Sequence, residues 1–330
     1  MPNTRPAYRI EANDSDITTT INKHFVSLTI TDEAGIKSDT LSIELDDSDN
    51  VLQLPATGAQ LRVWLGYDDA AKLMGLYVVD EIELKGPPDR LVIKAKATPM
   101  KDSKAFSALQ TQRNRSWTPR SLADLAGAIA AEHGLSPAVS PSLQDHQLPH
   151  LDQVNESNMH LLTRVAKDVG AIAKANGGKL LIVPQGEGKT VSGKTLPVVS
   201  MTRQDVTTWG VKIIGRADYK KVVTMWRDVT GAIDMEEVAG SGEPVRRIRH
   251  AYPNQDAAQK AAESYLEAFK RGKSVVNITR PGRADIMAEC RLQLSGFRSG
   301  INGVWSVKRV THRVSSAGYS MTLDGEVPKK

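Results

Sequence analysis

The chain has 330 residues, of which 40% are hydrophobic, 25% charged and 5% aromatic, an ordinary globular composition long enough for two or three domains of roughly 100–200 residues. No run approaches the about 18 apolar residues of a membrane helix, and the composition also excludes long disorder, coiled coil and collagen. The net charge of +5 is uneven: residues 1–100 hold 10 Lys/Arg against 16 Asp/Glu, a net of −6, which leaves 33 against 22 and a net of +11 beyond them. The basic residues are scattered and form no single stripe, so an acidic and a basic surface on one chain suit docking between copies or neighbours better than nucleic-acid binding. Cys290 is the only cysteine, which leaves no intrachain disulfide and no cysteine metal site. The opening residues show no apolar signal core, so folding in a cytosol is expected.

Residues 8–97 read as strands. Val26–Ile30 and Leu41–Leu45 alternate with period two around the turn Thr31–Gly35, and Asp46–Asn50 closes the pair. Leu61–Leu65, Gly75–Leu84, a Gly86-Pro-Pro-Asp89 turn and Leu91–Ala97 follow. Strands at this spacing predict a small antiparallel barrel or sandwich. Near residue 101 the texture becomes helical. Thr118-Pro119 is read as an N-cap with Pro at the first helical position, Leu122, Leu125, Ile129 and Ala130 as a buried stripe, and Gly134 as the stop. A Pro-rich connector spans Pro137–Pro149, and a second helix is expected from about Ser157 to Ala175. A hairpin from Lys179–Val183 returning at Val198-Val199 comes next. Strands resume at Val206–Gly215 and Tyr219–Val229, and a Gly-rich linker at 239–243 leads to a third helix at about 254–271, capped by Asn254. Residues 275–326 return to strands.

An internal repeat ties the two ends together. An offset of 228 places Gly75 on Gly303, Tyr77 on Trp305, Val79 on Val307 and Ile82 on Val310. Carried past the turn without a gap, it places Leu91 on Tyr319, Ile93 on Met321 and Ala95 on Leu323, with Gly86–Asp89 against Val314–Ala317. Leu84 against His312 and Val92 against Ser320 do not match. The apolar face repeats while the exposed face changes sign, since Asp80 and Glu81 become Lys308 and Arg309. These four residues are the candidate inter-subunit contacts: opposite charges at equivalent places let one half pair with the other half of a neighbour and disfavour like with like.

No catalytic, cofactor or metal site emerges. Gly186-Glu-Gly-Lys-Thr190 lacks both the first glycine of a phosphate loop and a following helix, so a hairpin tip is the better reading. His146, His150 and His160 are interrupted by Pro149 and have no carboxylate at ligand spacing. Asp46, Asp47 and Asp49 lack the glycine and glutamate of a helical calcium loop. Gly240-Ser-Gly242 lacks the outer glycines of a nucleophile elbow, and Glu236-Glu237 are neighbours, not opposed acids. Cys290 sits in an apolar alternation as a core thiol, and the basic run 246–250 has no interleaved aromatics.

The order of elements, with the texture of Leu41-Ser-Ile-Glu-Leu-Asp-Asp47, Leu61-Arg-Val-Trp-Leu-Gly66 and Gly303-Val-Trp-Ser-Val-Lys-Arg-Val-Thr-His312, resembles the phage late-control D family across about residues 8–326. Those proteins are tail hubs of contractile phages and R-type pyocins, related to the base of type VI secretion spikes. The resemblance implies an α+β, mainly β chain: a first acidic barrel at 1–100, a helical/mixed insert at 101–200, and a second, related, basic antiparallel barrel at 201–330 with a helix inserted at about 254–271. It also implies a non-enzymatic homotrimer whose two barrels per subunit form a pseudo-sixfold ring between a threefold spike and a sixfold tail tube, which it initiates. The implied partners are the chain itself, a separate spike protein, the tube or its initiator and the tape-measure protein. The particle would be a virion or tailocin baseplate assembled in the bacterial cytoplasm, with no cofactor, membrane or sequence-specific nucleic acid. Two other classes stay open: a cell-wall-binding or cell-wall-degrading baseplate component, and a nucleic-acid-binding regulator.

Overall fold

The computed structural model describes residues 5–35, 38–97, 108–176, 178–186, 188, 193–196, 198–214, 219–228, 230–272 and 274–328. The first half comprises β1 (Pro6–Ala12), β2 (Ser15–Asp16), helix α1 (Thr18–Asn22), β3 (Phe25–Glu33), β4 (Thr40–Asp46), β5 (Gln60–Tyr67), β6 (Lys72–Lys85) and β7 (Arg90–Ala97). The period-two pattern of the sequence becomes the pleat. Leu28 and Ile30, Leu41, Ile43 and Leu45, and Leu61, Val63 and Leu65 all turn into one core with Tyr77, Val79 and Leu91.

The middle of the chain is a separate core. It is built from β8 (Gln112–Trp117), α2 (Leu122–Glu132), β9 (Ser136–Val139), α3 (Pro141–Gln144), β10 (Leu151–Ser157), α4 (Asn158–Asp168), β11 (Ala171–Asn176) and β12 (Lys179–Pro184). Two expectations are corrected here. The cap of α2 is Ser121, whose Oγ accepts from Asp124 N at 3.2 Å while Asp124 Oδ2 accepts from Ser121 N at 3.0 Å; this reciprocal box outcompetes Thr118-Pro119. The second helix stops at Asp168, because Gly170 adopts φ +67° and ends it in the left-handed conformation. Ile172 and Ala173 then belong to β11, which pairs with β12. The Pro-rich connector contains β9 and α3.

The second half contains β13 (Val198–Thr202), β14 (Thr208–Ile213), β15 (Lys221–Asp228), β16 (Ile233–Gly240), β17 (Val245–Tyr252), α5 (Gln255–Arg271), β18 (Ser274–Pro281), β19 (Arg291–Ser295), β20 (Gly303–Ser315) and β21 (Gly318–Glu326). The expected hairpin between Lys179–Val183 and Val198-Val199 is absent: β12 pairs with β11 and β9, while β13 joins β19 in parallel. Residues 239–243 are no linker either. They end β16 and turn into β17, and these two strands flank β15. Asn254 does cap α5, accepting from Ala257 N at 2.9 Å. That helix packs Ala258, Ala261, Ala262 and Leu266 on the β15–β17 sheet, so the insertion is a mixed sheet-and-helix unit and not a lone helix.

Thirteen strands form one sheet, ordered β14-β18-β21-β20-β3-β4-β7-β6-β5-β1-β2, with β19 also on β20 and β13 on β19. Two six-stranded units lie within it. One runs β3-β4-β7-β6-β5-β1 and the other β14-β18-β21-β20-β19-β13, and the strands of both occur along the chain in the same relative order; five strands correspond in direction, while the sixth differs, β1 being antiparallel to β5 and β13 parallel to β19. The two closed barrels of the sequence reading are not found: among the described residues no pairing joins β1 to β3 or β13 to β14, and β20 passes directly into β3. The physical reason is that β20 is long enough to serve two neighbours, β19 through Gly303–Ser306 and β3 through Arg309–Ser315.

The repeat is legible in the ladders. β6 bulges against β7 between Val79 and Glu81, and β20 bulges against β21 between Val307 and Arg309, the same place under the offset of 228. Beyond the turn the ungapped alignment needs correction. Val79 faces Ala95 but Val307 faces Gly325, so Leu91, Ile93 and Ala95 correspond to Met321, Leu323 and Gly325. Past the bulge the second hairpin has seven residue pairs against five in the first and a loop two residues shorter, so the return arm slips by two residues and every side chain keeps its face. Its tip enters the first core, where Val314 and Tyr319 are buried. The Tyr319 ring lies tilted against Tyr67 at 5.4 Å between centroids, and its hydroxyl bonds His312 Nδ1 at 2.9 Å. A Cβ at Gly282 would lie 2.3 Å from that ring, so only glycine allows the approach. Tyr319→Ala is expected to cost about 3–5 kcal/mol, read as a lowered urea midpoint; an unchanged midpoint would show that the two halves do not depend on this contact.

Candidate assembly surface

Seven residue pairs, from Arg309↔Glu33 to Ser315↔Ser27, join the halves. Arg309 Nε donates to Glu33 Oε1 at 2.7 Å across this seam, and Ala34 N donates to the Lys308 carbonyl at 2.7 Å. Ala288 N donates to Asp32 Oδ2 at 2.8 Å. From the middle core, Lys174 Nζ reaches Asp39 Oδ1 at 2.7 Å. The seam is therefore a charged junction of three parts of the chain. Burial, then the neighbouring Asp39 carboxylate, pushes Asp32 up to about 6. Burial pushes Glu289 up to about 7 and holds His312 down to about 4. Nothing in the sequence pattern marked Asp32, Lys174 or Glu289, because their partners lie more than a hundred residues away; an isolated Lys174 inside an apolar strand was the one available signal.

The four predicted contact residues are not brought together within the chain. Asp80 pairs with Lys96 at 2.5 Å and Glu81 with Lys94 at 2.9 Å, all four at least two-fifths exposed, so these pairs hold their places loosely. Arg309 meets Glu33 and, at 3.7 Å, Asp324 of its own chain. Lys308 is exposed and has no ion pair among the described residues. Among the described residues, the outer edge of β6 beyond Val79 carries no paired strand and β14 is paired on one side only, so both edges are open to a further strand. Leu84 and Ile213 stand out on them at 59% and 75% exposure.

The other sequence motifs are dispersed. His160 pairs with Glu156 at 2.5 Å and His150 with Asp152 at 3.2 Å, while His146 lies 3.4 Å from Lys260. No group of three or more potential metal ligands occurs among the described residues. Asp46 binds Arg90 at 2.6 Å. Cys290 is buried, and burial pushes its thiol up. The run 246–250 lies on β17, where Arg247 pairs with Glu236 at 2.5 Å. Most of Glu187–Thr190 lies outside the described residues; the Gly186 N–H points to Glu289 Oε2 at 3.4 Å. A groove of 530 Å³ between α3 and α5 is lined by His146, Lys260, Glu263, Glu267 and Arg271, a mixed-charge wall.

The raised Glu289 gives a testable sign. An acid bound more tightly to its proton in the fold costs stability as pH rises from its ordinary value through the folded one. Glu289→Gln should therefore match the parent near pH 4.5 and exceed it at pH 8 by about 3 kcal/mol, measured by denaturant unfolding at both pH values. A gap independent of pH would refute the assignment.

Residues 38–318 match the family model described as phage tail baseplate hub (GPD). The chain is 31% identical to a probable baseplate hub protein of Escherichia phage 186, covering 98% of this chain and 93% of that protein. The fold is similar to that of the 43 kDa tail protein of prophage MuSo2 from Shewanella oneidensis, with TM-score 0.72, 13% identity and coverage of 98% and 99% of the two chains. It is also similar to that of an E. coli component of the type VI secretion system, with TM-score 0.57, 9% identity and coverage of 93% and 74%.

Proposed function

We propose that this chain, which belongs to the phage tail baseplate hub (GPD) family, acts as a homotrimer whose paired six-stranded units form a pseudo-sixfold ring. The ring joins a threefold spike to a sixfold tail tube and starts the tube. The observation that carries this reading is the repeated strand order within one chain. Three copies present six similar units, which resolves a three-to-six mismatch without a sixth distinct surface. The duplication extends to the bulges of β6 and β20, so equivalent edges sit at equivalent places in both units.

The division of the chain into segments 1–100, 101–200 and 201–330 fits this role: the two sheet segments form the ring and the middle segment decorates it. The spike protein, the tube or its initiator and the tape-measure protein are the partners, met in a tail baseplate assembled in the bacterial cytoplasm. The chain's work is mechanical. Asp80, Glu81 and Lys308 face neighbouring subunits in this reading, while Arg309 serves the seam inside its own subunit. No helix among the described residues is long and apolar enough to cross a membrane.

Light scattering on a sizing column, with the chain alone and with its spike protein, tests the ring. A mass near three times 35.9 kDa in either sample is expected, and a monomer in both would overturn the reading. Lys308→Glu should weaken the trimer about fivefold and leave the unfolding midpoint of the chain unchanged, because an exposed charge acts on association more than on the fold. Arg309→Glu should lower that midpoint instead, by leaving the part-buried Glu33 unpaired.

A further inference from the structure

The two open edges predict their own occupant. Up to Val79 and Val307 the two units are paired alike: Gly58 N donates to the Val79 carbonyl and Val79 N to that of Ala59, just as Glu289 N donates to Val307 and Val307 N to Cys290. Past that point they differ. The edge of β20 is taken by β3, the edge of β6 by no described strand. The strand equivalent to β3 in the second unit is β14, and no described strand pairs with its outer edge either.

We propose that β14 of one subunit pairs antiparallel with residues 82–85 of β6 in the next, repeating between chains the β3–β20 seam found within the chain. The register follows from the ladders. One row crosses the first unit as Leu28, Ile43, Ile93 and Ile82. Its counterpart crosses the second as Trp209, Ile278, Leu323 and Val310. At the seam Val310 faces Asp32, four residues beyond Leu28. Its counterpart Ile82 therefore faces Ile213, four residues beyond Trp209. Glu83 then faces Lys212, and Leu84 faces Val211.

Three independent observations fit this register. Glu83, which already meets Lys85 and Lys94 of its own chain, and Lys212 are opposite charges directly across the strand pair, a favourable contact. Ile213, at 75% exposure, gains an apolar partner in Ile82. Leu84 is 59% exposed while its counterpart His312 is fully buried. The neighbouring strand β3, which the first unit lacks at that edge, covers His312 together with Tyr319. The partner is thus a second copy of this chain, bound by strand addition.

The pairing rests on the trimeric-ring reading, and the experiment separates the two. In the full chain, with its spike protein where the ring requires it, Ile82→Cys and Ile213→Cys are combined and treated with oxidised glutathione. Directly opposed strand residues lie within disulfide reach, so a covalent trimer should dominate a non-reducing denaturing gel; buried Cys290 adds little background. Glu83→Cys with Ile213→Cys, one residue out of register and on opposite faces, should cross-link about tenfold less. Glu83→Lys and Lys212→Glu should each weaken the ring about fivefold, and the double reversal should restore it. A trimer by mass with no 82–213 cross-link and no rescue overturns the pairing and leaves the ring standing. A parent chain that stays monomeric in both samples overturns both.

Discussion

Strand β20 serves two neighbours along one edge, β19 over its first residues and β3 over its last, and the rest of the molecule is arranged around that shared edge. A seven-pair ladder satisfies the backbone groups that an edge strand would otherwise expose. It also carries the tip of the second hairpin into the first core, where Val314 and Tyr319 fill space left by the first unit's own strands. The core of the first half is thus completed by the second, whereas the core of the second half is built from its own residues.

The charges at the seam follow from the same geometry. Strand ends and connecting loops bring Asp32, Glu33, Asp39 and Glu289 together from three parts of the chain, against Arg309, Lys174 and the nearby Arg271. Burying acids without full compensation raises their proton affinity, as at Asp32 and Glu289. The buried His312 opposes them with a lowered affinity. Two acids favour low pH and one histidine disfavours it, so the seam's pH response is a difference between competing terms.

Much of the sheet was legible from alternation alone. Leu41–Leu45, Leu61–Leu65 and the 228-residue offset all mark real strands, and the offset even carries one bulge onto the other. The failures share a cause. Thr118-Pro119 and the helix through Ala175 were local patterns overruled by a better cap at Ser121 and by Gly170. The hairpin at 179–199 failed because sequence neighbours were assumed to pair, whereas β13 finds β19 nearly a hundred residues away. The two-residue slip past the turn was invisible because it preserves the face of every side chain.

Which residues are strand, which face of each is apolar, that the chain contains a duplicated unit, and that its surface charge changes sign between copies were all determined by the sequence itself. These are local or periodic properties, and periodicity needs no partner to be read. Only the tertiary structure decided that the units run into one sheet instead of closing as barrels, that Arg309 is held by Glu33, and that β6 and β14 keep open edges. Each of these depends on which of several chemically acceptable strands lies alongside. Backbone hydrogen bonds carry no residue code, so that choice is made by the packing of the whole chain.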